Sequence, residues 1–208
     1  MSAELPRACR RSVPRFRRSE DGVAILEFAL IAPILLLMYF GTVELATALR
    51  QARKIDLLAR TLGDTFSQRN APTASEVGDI FKMAPMVMLP FDSSDIRMTV
   101  SAVGVIGEAQ TGPLQICSSV AAPKSPMRIP GSLAPVDAAD SIQARGTRLL
   151  LVEVTTTYRP VTGSAFLKDG AAGFTLSRRT LWPIRYGKRF ASQSPEIVIA
   201  NGAPCPAR

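Results

Sequence analysis

No histidine occurs among the 208 residues of the chain. This absence excludes His-based catalytic triads, general acid–base catalysis by imidazole, and metal sites with imidazole ligands. The glycine-rich phosphate-binding patterns and the GxSxG nucleophile pattern are also missing, and none of the three cysteines lies in a CxxC pair. We therefore expect neither an enzyme nor a cofactor or metal site.

Two groups of residues nevertheless invite a metal interpretation. Methionine sulfur favours soft metals, but without His or a nearby Cys the methionines at positions 83, 86 and 88 are better explained as flexible core filling. The acidic pairs lack a neighbouring base or phosphate-binding loop and are expected to be solvated turn residues. These pairs are Asp92/Asp95 and Asp137/Asp140.

The basic character of the chain is concentrated at its N terminus. The net charge is +8, and residues 1–22 alone carry six Arg against three acidic residues, a balance of +3. The remaining charge is spread over the rest of the chain without a nucleic-acid-binding motif, so nucleic acid is not an expected partner.

One long apolar segment follows this leader. Residues 23–49 contain only two charges, Glu27 and Glu44, and as a helix they would be about 40 Å long, enough to cross a bilayer. The arginines before the segment favour a cytoplasmic N terminus. Pro33 lies within the segment, where a membrane helix tolerates it, and a kink near Ala29 is expected.

Three interpretations of this N terminus compete. The segment could be an uncut single-pass anchor in which Glu27 only reaches toward the interface. It could be a secretory signal with an apolar core from Phe28 to Phe40 and a cut after Ala48. It could also be a prepilin-type signal that is cut between Gly22 and Val23 and leaves the helix on the product.

The third interpretation rests on a resemblance. The run Gly22-Val-Ala-Ile-Leu-Glu27-Phe28-Ala-Leu, then Pro33, then Phe40-Gly-Thr-Val-Glu44-Leu resembles the N-terminal signature of TadE-like pseudopilins of the tight-adherence (Flp pilus) machinery. The resemblance implies an inner-membrane precursor whose partners are a prepilin peptidase, other pilin subunits and the pilus machinery. It also implies that Glu27 meets the new α-amino group of an adjoining subunit, a contact that selects neighbours more than it adds net stability.

Cysteine placement bears on the same topology. Loss of the leader would remove Cys9 and leave Cys117 and Cys205 on the outer side of the membrane. A pair in an oxidising compartment favours a disulfide between them, although two free thiols remain compatible with the sequence.

The rest of the chain predicts an α+β domain. Ile55, Leu58, Leu62 and Phe66 give residues 50–68 one apolar helical face, opposite a polar side with local ion pairs. A capping box at Thr73–Glu76 predicts a second helix to about Met83, limited by Pro85.

Four strands are expected after the two helices. The first begins at Ile96 with one buried face, and the others cover residues 149–158, 174–182 and 197–200. Residues 110–146, rich in Pro, Gly, Ser and Ala, read as a long irregular insertion that is either a contact surface or a loop without a partner.

The expected molecule is therefore a long N-terminal transmembrane helix that extends into a small periplasmic domain with a mainly antiparallel sheet. Its expected divisions are a leader of residues 1–22, a membrane helix of residues 23–49 and a periplasmic domain of residues 50–208.

Overall fold

A computed structural model describes residues 21–106, 110–137, 142–160, 173–190, 194–199 and 202–206. Residues 1–20 of the expected leader (residues 1–22) lie outside these ranges, and Cys9 is among them. The chain forms two compact units, Met1–Ala46 and Thr47–Arg208.

The first helix, α1, runs from Asp21 to Ser67 without interruption and includes Pro33. The long apolar segment and the amphipathic segment after it are therefore parts of one element. Thr42 donates a hydrogen bond to the carbonyl of Met38 four residues earlier, a contact that lets a hydroxyl be accommodated within a helix. The kink expected near Ala29 stays a prediction.

The amphipathic part of α1 supplies one wall of the main core. Ile55, Leu58, Leu62 and Phe66 are each at most 1% exposed, which confirms the apolar face predicted for residues 50–68. Ion pairs occur on the polar side, where Asp56 contacts both Arg60 (2.9 Å) and Arg178 (2.7 Å).

The second and third helices are short. Helix α2 covers Ala74–Phe81, and its predicted capping box is confirmed, because the Thr73 side chain accepts from the Glu76 amide and Glu76 accepts from the Thr73 amide. The predicted end near Met83 is two residues too late. Pro85 does not limit this helix but stands in the first turn of α3, Ala84–Met88, where its missing N–H is harmless.

The prediction of core filling is correct for Met83 and Met88 and wrong for Met86. Met88 is fully buried in the main core and Met83 packs half-buried against it, whereas Met86 is 76% exposed. A helix of one turn and a half buries a single side, and Met86 lies on the other side.

A four-stranded antiparallel sheet faces these helices, in the order β2-β1-β3-β4. The strands are β1 Arg97–Val105, β2 Leu114–Ala121, β3 Arg148–Tyr158 and β4 Phe174–Pro183. The predicted α+β class with an antiparallel sheet is confirmed, and β3 and β4 lie within one residue of their predicted bounds.

Strand β2 corrects the prediction of an irregular segment over residues 110–146. It pairs with β1 through a register shift between Ala102 and Val103. The irregular chain after it lies against the sheet: Thr99 donates to the carbonyl of Pro126 (3.0 Å), and the Ser125 hydroxyl accepts from the Met98 amide. Much of the expected insertion is therefore part of the fold.

Because this irregular chain covers the sheet, the prediction that β1 buries only one face is wrong. Every β1 residue after Arg97 is buried. Leu150, Val152 and Val154 of β3 point into the main core, while Leu149 and Leu151 belong to a second cluster with Val103 and Ile116. Since alternate residues of a strand point to opposite faces, both faces of β1 and β3 are covered, whereas the residues of β4 are exposed or half-buried.

The prediction of a strand at residues 197–200 is wrong for residues 197–199, the part that the structure describes. Ile197 and Ile199 are buried but form no strand of the sheet, and Ala200 lies outside the described residues. The alternating apolar residues of this segment reflect the burial of the Ile197 and Ile199 side chains, and not pairing of its backbone with a strand.

Candidate functional site: the apolar half of helix α1

The apolar half of α1 presents its side chains to the surroundings. Large apolar side chains from Val23 to Leu45 are exposed, with Leu37 at 75% and Ile25 at 72%. An apolar surface of this length marks a membrane or protein contact. By length and composition α1 can cross a membrane, with a mean hydropathy of 2.4 in its most apolar window, which is compatible with a single-pass membrane protein.

The expected processing site lies in the first turn of this helix. Because α1 begins at Asp21, Gly22 and Val23 are both helical, and the Val23 side chain is 54% exposed. Cleavage between them stays a prediction.

Glu27 lies one helical turn after Val23. Residues four apart on a helix lie on the same face, so a new terminus at Val23 and the Glu27 carboxylate would occupy one side of α1. The Glu27 and Phe28 side chains are exposed, and Glu27 forms no ion pair or hydrogen bond with a described residue. A carboxylate within an apolar surface is therefore available to another molecule.

Further along the same surface, Pro33 and Gly41 interrupt the large side chains. A Cβ added at Gly41 would meet nothing within 4 Å. Such a gap allows another helix to approach the α1 backbone closely.

A disulfide joins Cys117 of β2 to Cys205 near the C terminus, with a Cα–Cα distance of 4.9 Å and a sequence separation of 88. This agrees with the pairing predicted from the cysteine count. Beside it, Arg148 and Glu196 form an ion pair (3.2 Å) whose side chains are each 3% exposed. Glu196 also accepts from the Cys205 amide, so the bridge and the ion pair hold the same C-terminal segment.

A second charged cluster on the sheet escaped the sequence analysis. Arg128 donates two hydrogen bonds to Glu153 (2.7 and 2.8 Å), and Arg179 adds a contact of 3.2 Å to the same carboxylate. Bidentate arginine–carboxylate pairs fix geometry well, and the pairing with Glu153 raises the pKa of Arg128. The position of Glu153 within the apolar run of β3 was the available signal.

The first of the two acidic pairs considered for metal binding, Asp92/Asp95, has partners within the protein. Asp92 accepts from the Ser94 hydroxyl (2.6 Å) and amide, which lowers the pKa of its carboxyl group. Asp95 pairs with Arg159 (2.9 Å). Asp140 lies outside the described residues, and in the part of the chain that is described no three acidic, Cys or His side chains cluster as metal ligands would.

Comparison with known proteins adds one finding to this geometry. A family model described as TadE-like protein matches residues 22–62, which confirms the resemblance seen in the N-terminal signature. The match begins at Gly22, takes in Glu27, Phe28 and Pro33, and ends at buried Leu62. No curated protein and no solved structure matches the chain.

Proposed function

We propose, from the TadE-like match over residues 22–62, that this chain is a minor pilin-like component of the tight-adherence (Flp) pilus assembly system. In this role it has no catalytic activity and acts by assembling through the apolar half of α1. The observation that supports the role best is the coincidence of the matched segment with an exposed apolar helix surface that carries the exposed carboxylate of Glu27 near its start.

The proposed route begins with insertion of the precursor into the bacterial inner membrane. Residues 23–49 span the bilayer, the arginine-rich leader stays in the cytoplasm in accordance with the positive-inside rule, and residues 50–208 lie in the periplasm. The Cys117–Cys205 bridge supports this orientation, because disulfides persist in oxidising compartments such as the periplasm.

A prepilin peptidase then cuts between Gly22 and Val23 and releases the leader. The new α-amino group is cationic near neutral pH. We infer that it meets Glu27 of an adjoining subunit within the membrane, where pairing offsets part of the unfavourable transfer of a carboxylate into an apolar medium. The peptidase, other pilin or pseudopilin subunits and the inner-membrane machinery are the partners of this route.

Sequencing the N terminus of the purified mature protein tests the processing step. Val23 as first residue supports the proposal, Met1 supports an uncut inner-membrane scaffold or sensor, and Leu49 supports a secretory signal. Replacing Gly22 with Ile should block the cut, while Gly41→Ala, which alters a glycine with open space around it, should leave the cut unchanged. Equal processing of both variants would contradict a glycine-specific peptidase.

Exchange of Glu27 tests the assembly step. Glu27→Gln should leave membrane insertion and processing intact but reduce surface pili severalfold, because the neutral amide cannot pair with the amino terminus. Glu27→Asp, which keeps the charge, is the matched control and should restore part of the assembly. Pilus counts by electron microscopy and membrane fractionation give the two readouts. Wild-type pilus counts in the Gln variant would refute the role of the carboxylate.

A further inference from the structure

Three cations follow the apolar half of α1 within little more than one turn. Arg50, Arg53 and Lys54 come directly after Leu49 and, at spacings of three and four, share one face of the helix. None of them forms an ion pair or hydrogen bond with a described residue. By contrast, Arg60, six residues after Lys54, is paired with Asp56. The face therefore carries three charges that no described residue neutralises.

These cations line an apolar pocket. The pocket has a volume of about 470 Å³, and Leu57, Pro90 and Phe91 form its apolar wall. Leu57 is 50% exposed and Leu89, next to Pro90, is 64% exposed. Cations beside exposed apolar side chains are typical of a surface that lies at a membrane interface.

We propose that this pocket binds the headgroup of an anionic phospholipid. The phosphate contacts Arg50, Arg53 and Lys54, the outer end of the headgroup lies against Leu57 and Phe91, and the acyl chains run back past exposed Leu49 into the bilayer. The cations, together with the exposed apolar side chain on their membrane side, match an amphipathic anion better than a free phosphate.

The position of the pocket along the helix supports this occupant. At 1.5 Å per residue, Lys54 lies about 8 Å beyond Leu49, and the polar layer on each side of a bilayer is about 5–8 Å thick. The inference rests on the membrane placement of residues 23–49 in the proposed function, but not on cleavage or pilus assembly.

Native mass spectrometry of the full chain in detergent tests the site. With phosphatidylglycerol and phosphatidylcholine of identical acyl chains, we expect preferential retention of phosphatidylglycerol. Arg50→Gln/Arg53→Gln/Lys54→Gln should lower that preference about tenfold or more, because each cation near an anionic headgroup contributes to the attraction. Equal retention of the two lipids by the wild-type chain would overturn the proposal.

A matched control variant distinguishes lipid binding at this pocket from general attraction by the net charge of the protein. Lys82→Gln/Arg159→Gln/Lys188→Gln removes the same charge from exposed side chains elsewhere and should keep the preference. Equal losses in both triple variants would show general attraction without a site. Circular dichroism verifies folding, and if the first triple variant unfolds, Arg53→Gln alone should still lower the preference.

Two competition experiments identify the ligand that occupies the pocket. Glycerol phosphate, which lacks acyl chains, should not displace the lipid at equal concentration, and displacement would reduce the site to a free-phosphate site. A soluble acidic peptide such as polyglutamate should not compete either, and its competition would point to a protein partner. Retained lipid preference together with a Met1 terminus would refute the pilin route alone, whereas lost preference with a Val23 terminus would refute only the lipid site.

Discussion

At the scale of single residues, Gly63 shows how closely α1 approaches the sheet. A Cβ added there would lie 2.9 Å from Cγ and 3.2 Å from Cβ of Trp182, and these atoms sit at the base of the side chain, where rotation gives little relief. Glycine is thus required by packing at this position, although it lowers the intrinsic stability of a helix.

Two glycine-to-alanine exchanges test this contact. Gly63→Ala should destabilise the domain by about 1–3 kcal/mol through overpacking, whereas Gly78→Ala in α2, with nothing within 4 Å of the new Cβ, should stabilise it by about 0.5–1 kcal/mol. Urea unfolding of the two variants provides the comparison. If Gly63→Ala proved as stable as Gly78→Ala, α1 and Trp182 could not be packed as described.

Residues on a regular helix face were predictable, whereas long-range charge pairs were not. Ile55, Leu58 and Phe66 follow from a period of three and four, a local property of the sequence. The Arg148–Glu196 pair joins positions 48 residues apart, and no local pattern indicates which charges fold together. The candidate site on α1 was accessible to sequence reasoning because all its residues are local.

At the scale of elements, α2 depends on its N-terminal cap. Hydrogen bonds from the Thr73 backbone and side chain, followed by the nearby Arg69, lower the pKa of Glu76 from its ordinary value of 4.5. Because the folded-state pKa is the lower one, the contribution of Glu76 to stability is present above about pH 4.5. It is lost as the pH falls through the lowered folded-state pKa.

Amide exchange of α2 as a function of pH checks this dependence. Protection of α2 should fall as the pH is lowered through the folded-state pKa of Glu76. In Glu76→Gln, which cannot titrate, that part of the pH dependence should disappear. An unchanged pH profile in the variant would show that another group controls the helix.

Elements with a clear local sequence pattern, such as β3, were predicted. Strand β2, which is defined by its pairing with β1, was not. Between Leu149 and Thr157, β3 is a run of apolar and β-branched residues interrupted only by Glu153, which is a strong strand signal. β2 contains Cys117, Ser118 and Ser119 in succession, and its pairing with β1 shifts register, so it shows no clean alternation. Prolines on either side of it favoured the irregular interpretation.

At the scale of the whole molecule, the disulfide closes the chain from β2 to the C terminus. Such a bridge restricts the unfolded chain, and Glu196 and Arg148 hold the same segment in the folded one. The sequence indicated the cysteine pair but not the buried charges beside it.

Removal of the bridge should therefore weaken the domain. Cys117→Ala/Cys205→Ala is expected to lower the free energy of unfolding by about 2–5 kcal/mol, measured by urea unfolding. Adding a reductant should destabilise the wild-type chain by a similar amount and leave the double variant unchanged. A reductant effect on the double variant would disprove the assignment to this bridge.

The two edges of the sheet, formed by β2 and β4, affect whether copies of the protein can pair through their strands. The outer backbone of β2 is occupied by its own following segment, since the amides of Gly131 and Ala134 donate to the carbonyls of Ile116 and Leu114. The outer side of β4 has no strand partner among the described residues, but β4 carries the charged side chains of Arg178 and Arg179, which are paired with Asp56 and Glu153. Charged or occupied edges discourage strand exchange between molecules. Aggregation of copies of this protein through their sheets is therefore disfavoured at both edges.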